Sequence, residues 1–278
     1  MDSLVNNKLK IIRVPIHTPT LWPHTTTNCY LIGNESESIL IDAGYDVPET
    51  KVLLEKALKE HQFAPPKAIL LTHYHPDHAP GVKRLTEWNP VVYCHEFEVN
   101  EIKKNIAPWD KISLIKDGET IKIAGADIQI MHTPGHTPGH LNVYIPSMEI
   151  LLAGDNIVAE GTSWIGPPDG DMRDFLQTLT KLKSLKLQKI GPGHGNWVDN
   201  PYEHIDFVYE RRLSREKQII HFLKENKKLT AENITKMIYQ DSIHPSLFEV
   251  AKRTTEAHLK KLMEDGVVNK ENSDYFLI

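Results

Sequence analysis

The run HYHPDH, which begins at His73, is the part of this sequence whose residue types most clearly point to chemistry. It directly follows the apolar run Ala68–Leu71, which is typical of a strand buried on both faces. Residues two apart in an extended segment point to the same side, so His73 and His75 can aim at one ion. Asp77 and His78 can then aim at a neighbouring point. Imidazole and carboxylate are ligands that zinc accepts, so the run predicts a metal site, with a surface histidine cluster as the alternative.

Three further loops carry a residue of ligand type directly after an apolar strand pattern. They are TPGHTPGH with His136, LLAGD with Asp155 and IGPGHG with His194. In open sheets, binding sites form where strands end, and by analogy we expect these side chains to meet at one sheet edge. The repeated placement favours a metal centre over a surface cluster.

The composition narrows the class of protein. The chain has 278 residues, a formal net charge of -5, 15 His and only 2 Cys. Two cysteines exclude a disulfide-rich scaffold and a four-thiolate zinc or iron–sulfur site within one chain. The charge does not indicate a strongly basic nucleic-acid binder. Free thiols, the lack of a membrane-length apolar run and the lack of a secretory leader pattern predict a cytoplasmic protein without a membrane partner.

The first two-thirds of the chain alternates short β-rich runs with helical ones, which predicts sheets layered against helices. The predicted helices are Pro48–His61, a stretch before Val91, and Met172–Leu185. The predicted strands are Lys10–Val14, Asn28–Ile32, Ser38–Asp42, Ala68–Leu71, Val91–Tyr93, Thr120–Ile123, Asp127–Met131, Leu141–Ile145, Ile150–Ala153 and Lys189–Ile190.

The pattern changes near Asn200-Pro201, after which helices dominate. Three helices are predicted over Tyr202–Asn226, Ala231–Tyr239 and Leu247–Asp265. Two short strands, Val267–Val268 and Tyr275–Leu277, then surround a polar turn. Helices followed by a small hairpin are the layout of a winged helix, which would be a second domain over residues 201–278.

The ordered motifs HxHxDH, TPGHTPGH, GD and PGHG resemble the metallo-β-lactamase superfamily. The opening strands Asn28–Gly33 and Ile39–Gly44 also match that family, and Gly161–Trp164 with the C-terminal part resembles its beta-lactamase-like protein 2 subgroup. The resemblance implies an α/β fold: an αββα metallo-β-lactamase sandwich over residues 1–200 and a small winged-helix-like α+β domain over 201–278.

The resemblance also implies two divalent metal ions, with zinc as the first candidate and iron or manganese as alternatives. The first ion would be bound by His73, His75 and His136, and the second by Asp77, His78 and His194, with Asp155 bridging the two. Asp77 and Asp155 are then the catalytic residues, because they hold the ions and orient the nucleophile. Three imidazoles leave a position on a metal open for water, as catalytic sites require.

Such a centre predicts a hydrolase that uses a metal-bridging hydroxide to attack phosphorus or a carbonyl carbon. The subgroup resemblance implies a phosphodiesterase or endoribonuclease acting on single-stranded RNA. The alternative is a thioester or small-ester hydrolase of the glyoxalase II type. A protein that only binds nucleic acid through the winged helix is a further alternative, although residues 203–278 carry 13 Lys/Arg and 13 Asp/Glu and are therefore neutral. The sequence is also compatible with a homodimer.

Several other polar or aromatic residues have two interpretations. Asp42, His132 and His140 could hydrogen-bond to the metal ligands or occupy ordinary structural positions. Trp22 and Trp164 could line a substrate pocket or pack under loops. The remaining histidines lack ligand spacing and are expected at the surface or the edge of the core: His17, His24, His61, His95, His204, His221, His244 and His258.

Overall fold

In the computed structural model, the described residues are 3–6, 9–20, 24–239 and 243–278, so Trp22 lies outside them. The chain divides into two compact units. The first unit comprises Met1–Thr133, Gly139–Thr162 and Leu185–Pro201. The second unit comprises Pro134–Pro138, Ser163–Ser184 and Tyr202–Ile278. The predicted boundary after residue 200 stays a prediction.

The described part of the first unit contains two β-sheets and the helices α1 (Pro48–His61) and α2 (Val99–Ile106). The seven-stranded sheet consists of β1 (Ser3–Asn6), β2 (Leu9–His17), β3 (Thr26–Gly33), β4 (Ser38–Ile41), β5 (Ala68–Leu70), β6 (Val91–Cys94) and β7 (Ile112–Leu114), in that order. The five-stranded sheet consists of β8 (Thr120–Ile123), β9 (Ala126–His132), β10 (Leu141–Ile145), β11 (Ile150–Gly154) and β12 (Lys189–Pro192), in the order β12-β11-β10-β9-β8.

The direction of the strands explains why ligand-type residues meet. Strands β4, β5 and β6 run parallel, with Ile41 beside Leu70 and Leu70 beside Tyr93. Strands β11 and β12 are also parallel. Parallel neighbours end at the same edge of their sheet, so the loops that follow β4 and β5, and those that follow β11 and β12, start side by side.

Two apolar cores fix these sheets. Side chains alternate between the faces of a strand, so Ile69 of β5 joins one core and Leu70 joins the other. The first core contains side chains of the five strands from β2 through β6. Helices α1 and α2 pack against these strands, for example through Leu54 and Ile102. The second core contains residues of both sheets, such as Leu70 and Leu152. β5 is therefore covered on both faces, as its continuous apolar sequence predicted.

The second unit contains α3 (Met172–Lys183) and the C-terminal elements. These are α4 (Pro201–Asn226), α5 (Ala231–Tyr239), α6 (Phe248–Glu264) and a small sheet of β13 (Leu229–Thr230), β14 (Val268–Glu271) and β15 (Asp274–Leu277), in the order β13-β15-β14. α3 begins at Met172, preceded by the N-cap Asp171, whose side chain accepts hydrogen bonds from the N–H groups of Arg173 and Asp174. The C-terminal core joins α4, α5, α6 and the hairpin, and its fully buried members include Ile219, Ile234 and Leu259.

Some predicted elements differ from the structure. The helix expected before Val91 consists of two short 3₁₀ helices, Pro80–Arg84 and Thr86–Trp88, which are separated at Leu85. Strands β1, β7 and β13 and helix α2 were not predicted, since they are short and lack a long period. No helix that the structure describes is both long and apolar enough to cross a bilayer.

Candidate metal centre

The ligand-type residues of the first unit lie where strands of both sheets end. Residues 73–78 follow β5, Asp155 follows β11 and His194 follows β12. Backbone hydrogen bonds join the two sheets at this edge. The N–H of Leu141 donates to the carbonyl of Thr72 at 2.8 Å, and that of Asn28 donates to Gly193 at 2.8 Å.

Four side chains converge on one point: Asp77, His78, Asp155 and His194. Asp155 Oδ1 lies 3.2 Å from His78 Nε2 and 3.3 Å from His194 Nε2. Asp77 Oδ2 lies 3.6 Å from His78 Nε2 and 3.4 Å from His194 Nε2. All four residues are buried, and His78 Nε2 has no hydrogen-bond partner among the residues that the structure describes. These two imidazoles and two carboxylates therefore present their donor atoms to the same small volume.

These separations fit a metal ion. In a tetrahedral zinc site with bonds of about 2.0–2.1 Å, two ligand atoms lie about 3.3–3.4 Å apart. The four measured distances, 3.2 to 3.6 Å, lie close to that spacing. An imidazole nitrogen that is buried without a hydrogen bond is costly unless something else occupies its lone pair. The residues present thus fit a divalent ion.

The electrostatics of this cluster also favour a cation. Although burial alone lowers the pKa of His78, the carboxylates of Asp155, Asp77 and Asp42 raise it well above its ordinary value. Burial raises the pKa of Asp155, but His194 and His78 hold it well below its ordinary value. A buried group of carboxylates thus stabilises positive charge at this point, whether a proton or a metal ion supplies it.

Asp42 orients two of the predicted ligands at once. One oxygen, Oδ2, accepts hydrogen bonds from His78 Nδ1 and from Thr72 Oγ1, both at 2.8 Å. Thr72 Oγ1 in turn lies 3.0 Å from His73 Nδ1. A neutral ring that donates from Nδ1 carries its lone pair on Nε2, which is the form that binds metals. Asp42 therefore hydrogen-bonds to the predicted ligand His78 and, through Thr72, reaches His73, which agrees with one of its two interpretations.

His73 and His75 also lie together, as their spacing predicted. His73 Nε2 is 3.0 Å from His75 Nδ1, and the two rings meet edge to face with centroids 4.6 Å apart. His140 stacks on His73 at 5.2 Å and accepts a hydrogen bond at Nε2 from the N–H of Asp155. His140 thus fixes the backbone at Asp155, whereas His132 instead stacks on His95.

The loop that carries His194 is held by residues that the sequence analysis missed. Arg13 donates to the carbonyl of Gly195 at 3.0 Å, and Asn28 donates to the carbonyls of Pro192 and Gly195. His194 Nδ1 lies 2.8 Å from the carbonyl of Thr26. A signal was present, because Arg13 is a charged residue inside an apolar strand pattern and is buried.

Two more residues near the cluster were missed. Thr27 donates to Asp77 Oδ2 at 2.8 Å and thereby fixes that carboxylate. His24 is half-buried, as expected for a residue at the core edge, and its ring lies 5.4 Å from that of His194. The expectation of a surface or core-edge position was wrong for His258, which is fully buried in the second unit. Neither histidine has a spacing that relates it to a motif.

His136, the remaining predicted ligand, lies in the second unit. Its Nδ1 is 2.9 Å from the main-chain carbonyl oxygen of Trp164. A neutral His136 that donates this hydrogen bond has its lone pair on Nε2. His136 is thus held in the same tautomer as His78 and His194, because each of those rings donates a hydrogen bond from Nδ1 to an oxygen.

Comparison with known proteins identifies the family of the chain. Residues 22–194 match the family model of the metallo-beta-lactamase superfamily, and residues 230–275 match that of the beta-lactamase associated winged helix domain. The chain belongs to the metallo-beta-lactamase superfamily. Its predicted fold class, an α/β sandwich of this family with a C-terminal winged-helix domain, is confirmed. It is a hydrolase of this fold.

Particular relatives resemble the chain over nearly its whole length. A beta-lactamase-like protein 2 homolog of Caenorhabditis elegans is 29% identical over 96% of this chain and 88% of its own. An atrochrysone carboxyl ACP thioesterase of Cryptosporiopsis is 28% identical over 93% of this chain and 81% of its own. The crystal structure of a metallo-beta-lactamase family protein from Thermus thermophilus superposes with a TM-score of 0.81 at 23% identity, covering 96% of this chain and 98% of the other, and so shares the fold.

Proposed function

We propose that this hydrolase uses two divalent metal ions to cleave a thioester, and that zinc is the first candidate for both ions. His73, His75 and His136 would hold one ion, Asp77, His78 and His194 would hold the other, and Asp155 would bind both. The observation that carries the proposal is the approach of the carboxylates of Asp77 and Asp155 to the imidazoles of His78 and His194, with oxygen–nitrogen distances of 3.2 to 3.6 Å. When bound, such ions supply a Lewis acid and a hydroxide nucleophile at neutral pH.

The residues of this chain have separate tasks in that reaction. Asp155 is buried beside His78 and His194 and keeps its negative charge, because those imidazoles hold its pKa low. Oδ2 of Asp77 accepts a hydrogen bond from the Thr27 hydroxyl. This hydrogen bond fixes the carboxylate so that it can orient the nucleophile and accept a proton. Asp42 keeps His78 and, through Thr72, His73 in the ligand form of imidazole.

The choice of a thioester is supported by the name of a relative. The protein from Cryptosporiopsis that aligns with 93% of this chain is named an ACP thioesterase. A thioester carbonyl and a phosphodiester need the same nucleophile and Lewis acid, so the geometry of the centre alone does not separate them. Single-stranded RNA, the other predicted substrate, is therefore the competing outcome of the test below.

The test is a substrate panel with the metal-loaded full-length protein. The panel contains an acyl thioester of glutathione, a thioester of an acyl carrier protein, bis-p-nitrophenyl phosphate and single-stranded RNA. Asp155→Asn is compared with His221→Ala, whose side chain is exposed on α4. We expect thioester hydrolysis that Asp155→Asn abolishes and His221→Ala retains.

Two outcomes would contradict the proposal in different ways. Cleavage of RNA without thioester hydrolysis would overturn the choice of substrate but keep the centre. Thioester hydrolysis of equal rate in Asp155→Asn and in the parent protein would overturn the centre itself. Loading with zinc, iron or manganese in parallel identifies the ion that supports the reaction.

A further inference from the structure

The second unit joins the loop that carries His136 to the helices of the C-terminal half of the chain. Trp164 is the link: its carbonyl oxygen lies 2.9 Å from His136 Nδ1, and its indole N–H donates to the carbonyl of Val250 in α6 at 3.3 Å. One residue therefore contacts the predicted ligand with its main chain and helix α6 with its side chain.

Helix α4 holds the preceding residue. Arg212 is buried and donates from Nη2 to the carbonyl oxygen of Ser163. Its guanidinium also lies over the ring of Phe175, 5.6 Å from the centroid. Burial lowers the pKa of Arg212 to about 10, so the side chain still carries its charge at neutral pH. A buried cation directed at one peptide carbonyl fixes that peptide strongly, because hydrogen bonds from charged donors are about twice as strong as neutral ones.

A second connection reaches the same loop through α3. The N–H of Asp171 donates to the carbonyl of Gly135 at 2.9 Å, and Thr178 Oγ1 donates to that of Pro134 at 2.7 Å. Gly135 has φ of +132°, and a side chain there would collide with the backbone of Phe175. Lys260 of α6 contacts the carboxylate of Asp171 at 2.6 Å. The loop is thus packed against α3, which α6 contacts in turn.

We propose that helices α4 and α6 position His136 as a metal ligand, with Arg212 and Trp164 as the positioning residues. The C-terminal domain would then set the affinity of one of the two ions. This inference rests on the proposed function in one respect, namely that His136 binds a metal.

The charges of α6 agree with this role. The three lysines among its four basic residues are paired with carboxylates: Lys252 lies 3.5 Å from Glu249, Lys260 contacts Asp171, and Lys261 lies 3.0 Å from Glu216 and 2.8 Å from Asp265. Lysines that are paired with carboxylates of their own unit contribute less to binding phosphates, which nucleic-acid recognition by this helix would need.

The experiment measures metal binding rather than catalysis. Arg212→Met removes the donor to Ser163, and Arg211→Met removes an exposed arginine one position away as the matched control. Cadmium binding is followed by titration and by ¹¹³Cd NMR, which gives each ion its own resonance. We expect Arg212→Met to raise the dissociation constant of one ion about 10- to 100-fold and to shift only its resonance, the equivalent of the charged hydrogen bond to Ser163 that it removes. Arg212→Lys should recover part of the affinity.

A second variant covers the case in which Arg212→Met does not fold. Trp164→Phe keeps the carbonyl and an aromatic ring but removes the hydrogen bond to Val250. It should raise the dissociation constant of the same ion roughly 3- to 10-fold, the equivalent of one neutral hydrogen bond.

The outcomes separate this inference from the proposed function. A folded Arg212→Met, or failing that Trp164→Phe, that binds both ions as tightly as Arg211→Met would overturn the positioning role. His136→Ala provides the other reference. If it retains both ions, the ligand assignment fails, whereas if it loses one ion while Arg212→Met loses none, only the positioning role fails.

Discussion

His78 in the first unit and His258 in the second are alike in burial but differ in their surroundings. Both side chains are 0% exposed, and within the described part of the chain neither Nε2 atom has a hydrogen-bond partner. Each has one carboxylate near Nδ1: Asp42 at 2.8 Å from His78, and Glu216 at 3.4 Å from His258. Burial and an open nitrogen therefore do not by themselves distinguish a metal ligand from a structural histidine.

The charges around the two rings do distinguish them. Burial lowers the pKa of both, but Asp155, Asp77 and Asp42 raise that of His78 well above its ordinary value. The pKa of His258 falls to about 4, since burial dominates and Arg212 and Arg215 add to the lowering, against a contribution from Glu216. The first environment attracts a cation, and the second keeps a neutral ring.

The largest effect is expected from removing the carboxylate of Asp155, which lies beside both His78 and His194. Asp155→Ala is expected to reduce turnover of the substrate found in the panel by about a thousandfold or more, because several kcal/mol of charge stabilisation in the transition state depend on correctly held metals. Steady-state rates at saturating metal check this. Turnover within tenfold of the parent protein would contradict the role given to Asp155.

The second prediction concerns the pH dependence of the C-terminal core. The folded pKa of His258, about 4, lies below its unfolded value near 6.5. The folded state therefore binds fewer protons in this range. The contribution of neutral His258 to stability is present above pH 6.5 and is lost as the pH falls through about 4. The total loss approaches roughly 3 kcal/mol.

Comparison of His258→Phe with the parent protein isolates this effect. Hydrogen exchange of the α6 amides between pH 7 and pH 4 should show a steeper loss of protection in the parent than in His258→Phe. His221→Ala, at an exposed site on α4, should behave like the parent. Parallel pH profiles for the parent and His258→Phe would refute the assignment of His258 as a buried neutral ring.

A smaller effect is expected from the carboxylate behind His78. Asp42→Asn should weaken metal binding about 10- to 100-fold, because it removes the negative charge and leaves one acceptor oxygen where two now accept from Thr72 and His78. Asp46→Asn is the matched control, since Asp46 contacts only Lys83 and Arg84 in the described ion pairs. Competition with a chelator measures both variants, and equal affinities would show that Asp42 does not orient the ligands.

The sequence marks the proposed ligands more clearly than it marks the residues that hold them. His73 to His78, Asp155 and His194 could be found because each follows an apolar strand closely in the chain. Arg13 holds the carbonyl of Gly195 from 182 positions away, so no local pattern relates the two. The partner of His136 is a main-chain carbonyl, which any residue at position 164 would offer and which the sequence therefore does not mark.

The same limit applies to the fold. The long periodic helices and the apolar strands β3, β4, β5, β10 and β11 were predicted, because burial imposes a clear pattern on them. Strand β7 has three residues, none of them fully buried, so it carries no such pattern and is fixed by its parallel pairing with β6. Helix α2 has eight residues, too few to establish a helical period securely.

The central claim is that carboxylates, and not burial, make His78 a metal ligand, and metal stoichiometry tests it most directly. The parent protein, His78→Ala and His258→Phe are saturated with zinc, freed of excess ion by gel filtration and analysed by mass spectrometry for metal per chain. We predict two ions in the parent, two in His258→Phe and one or none in His78→Ala. Two ions in His78→Ala, or none in the parent, would contradict the account.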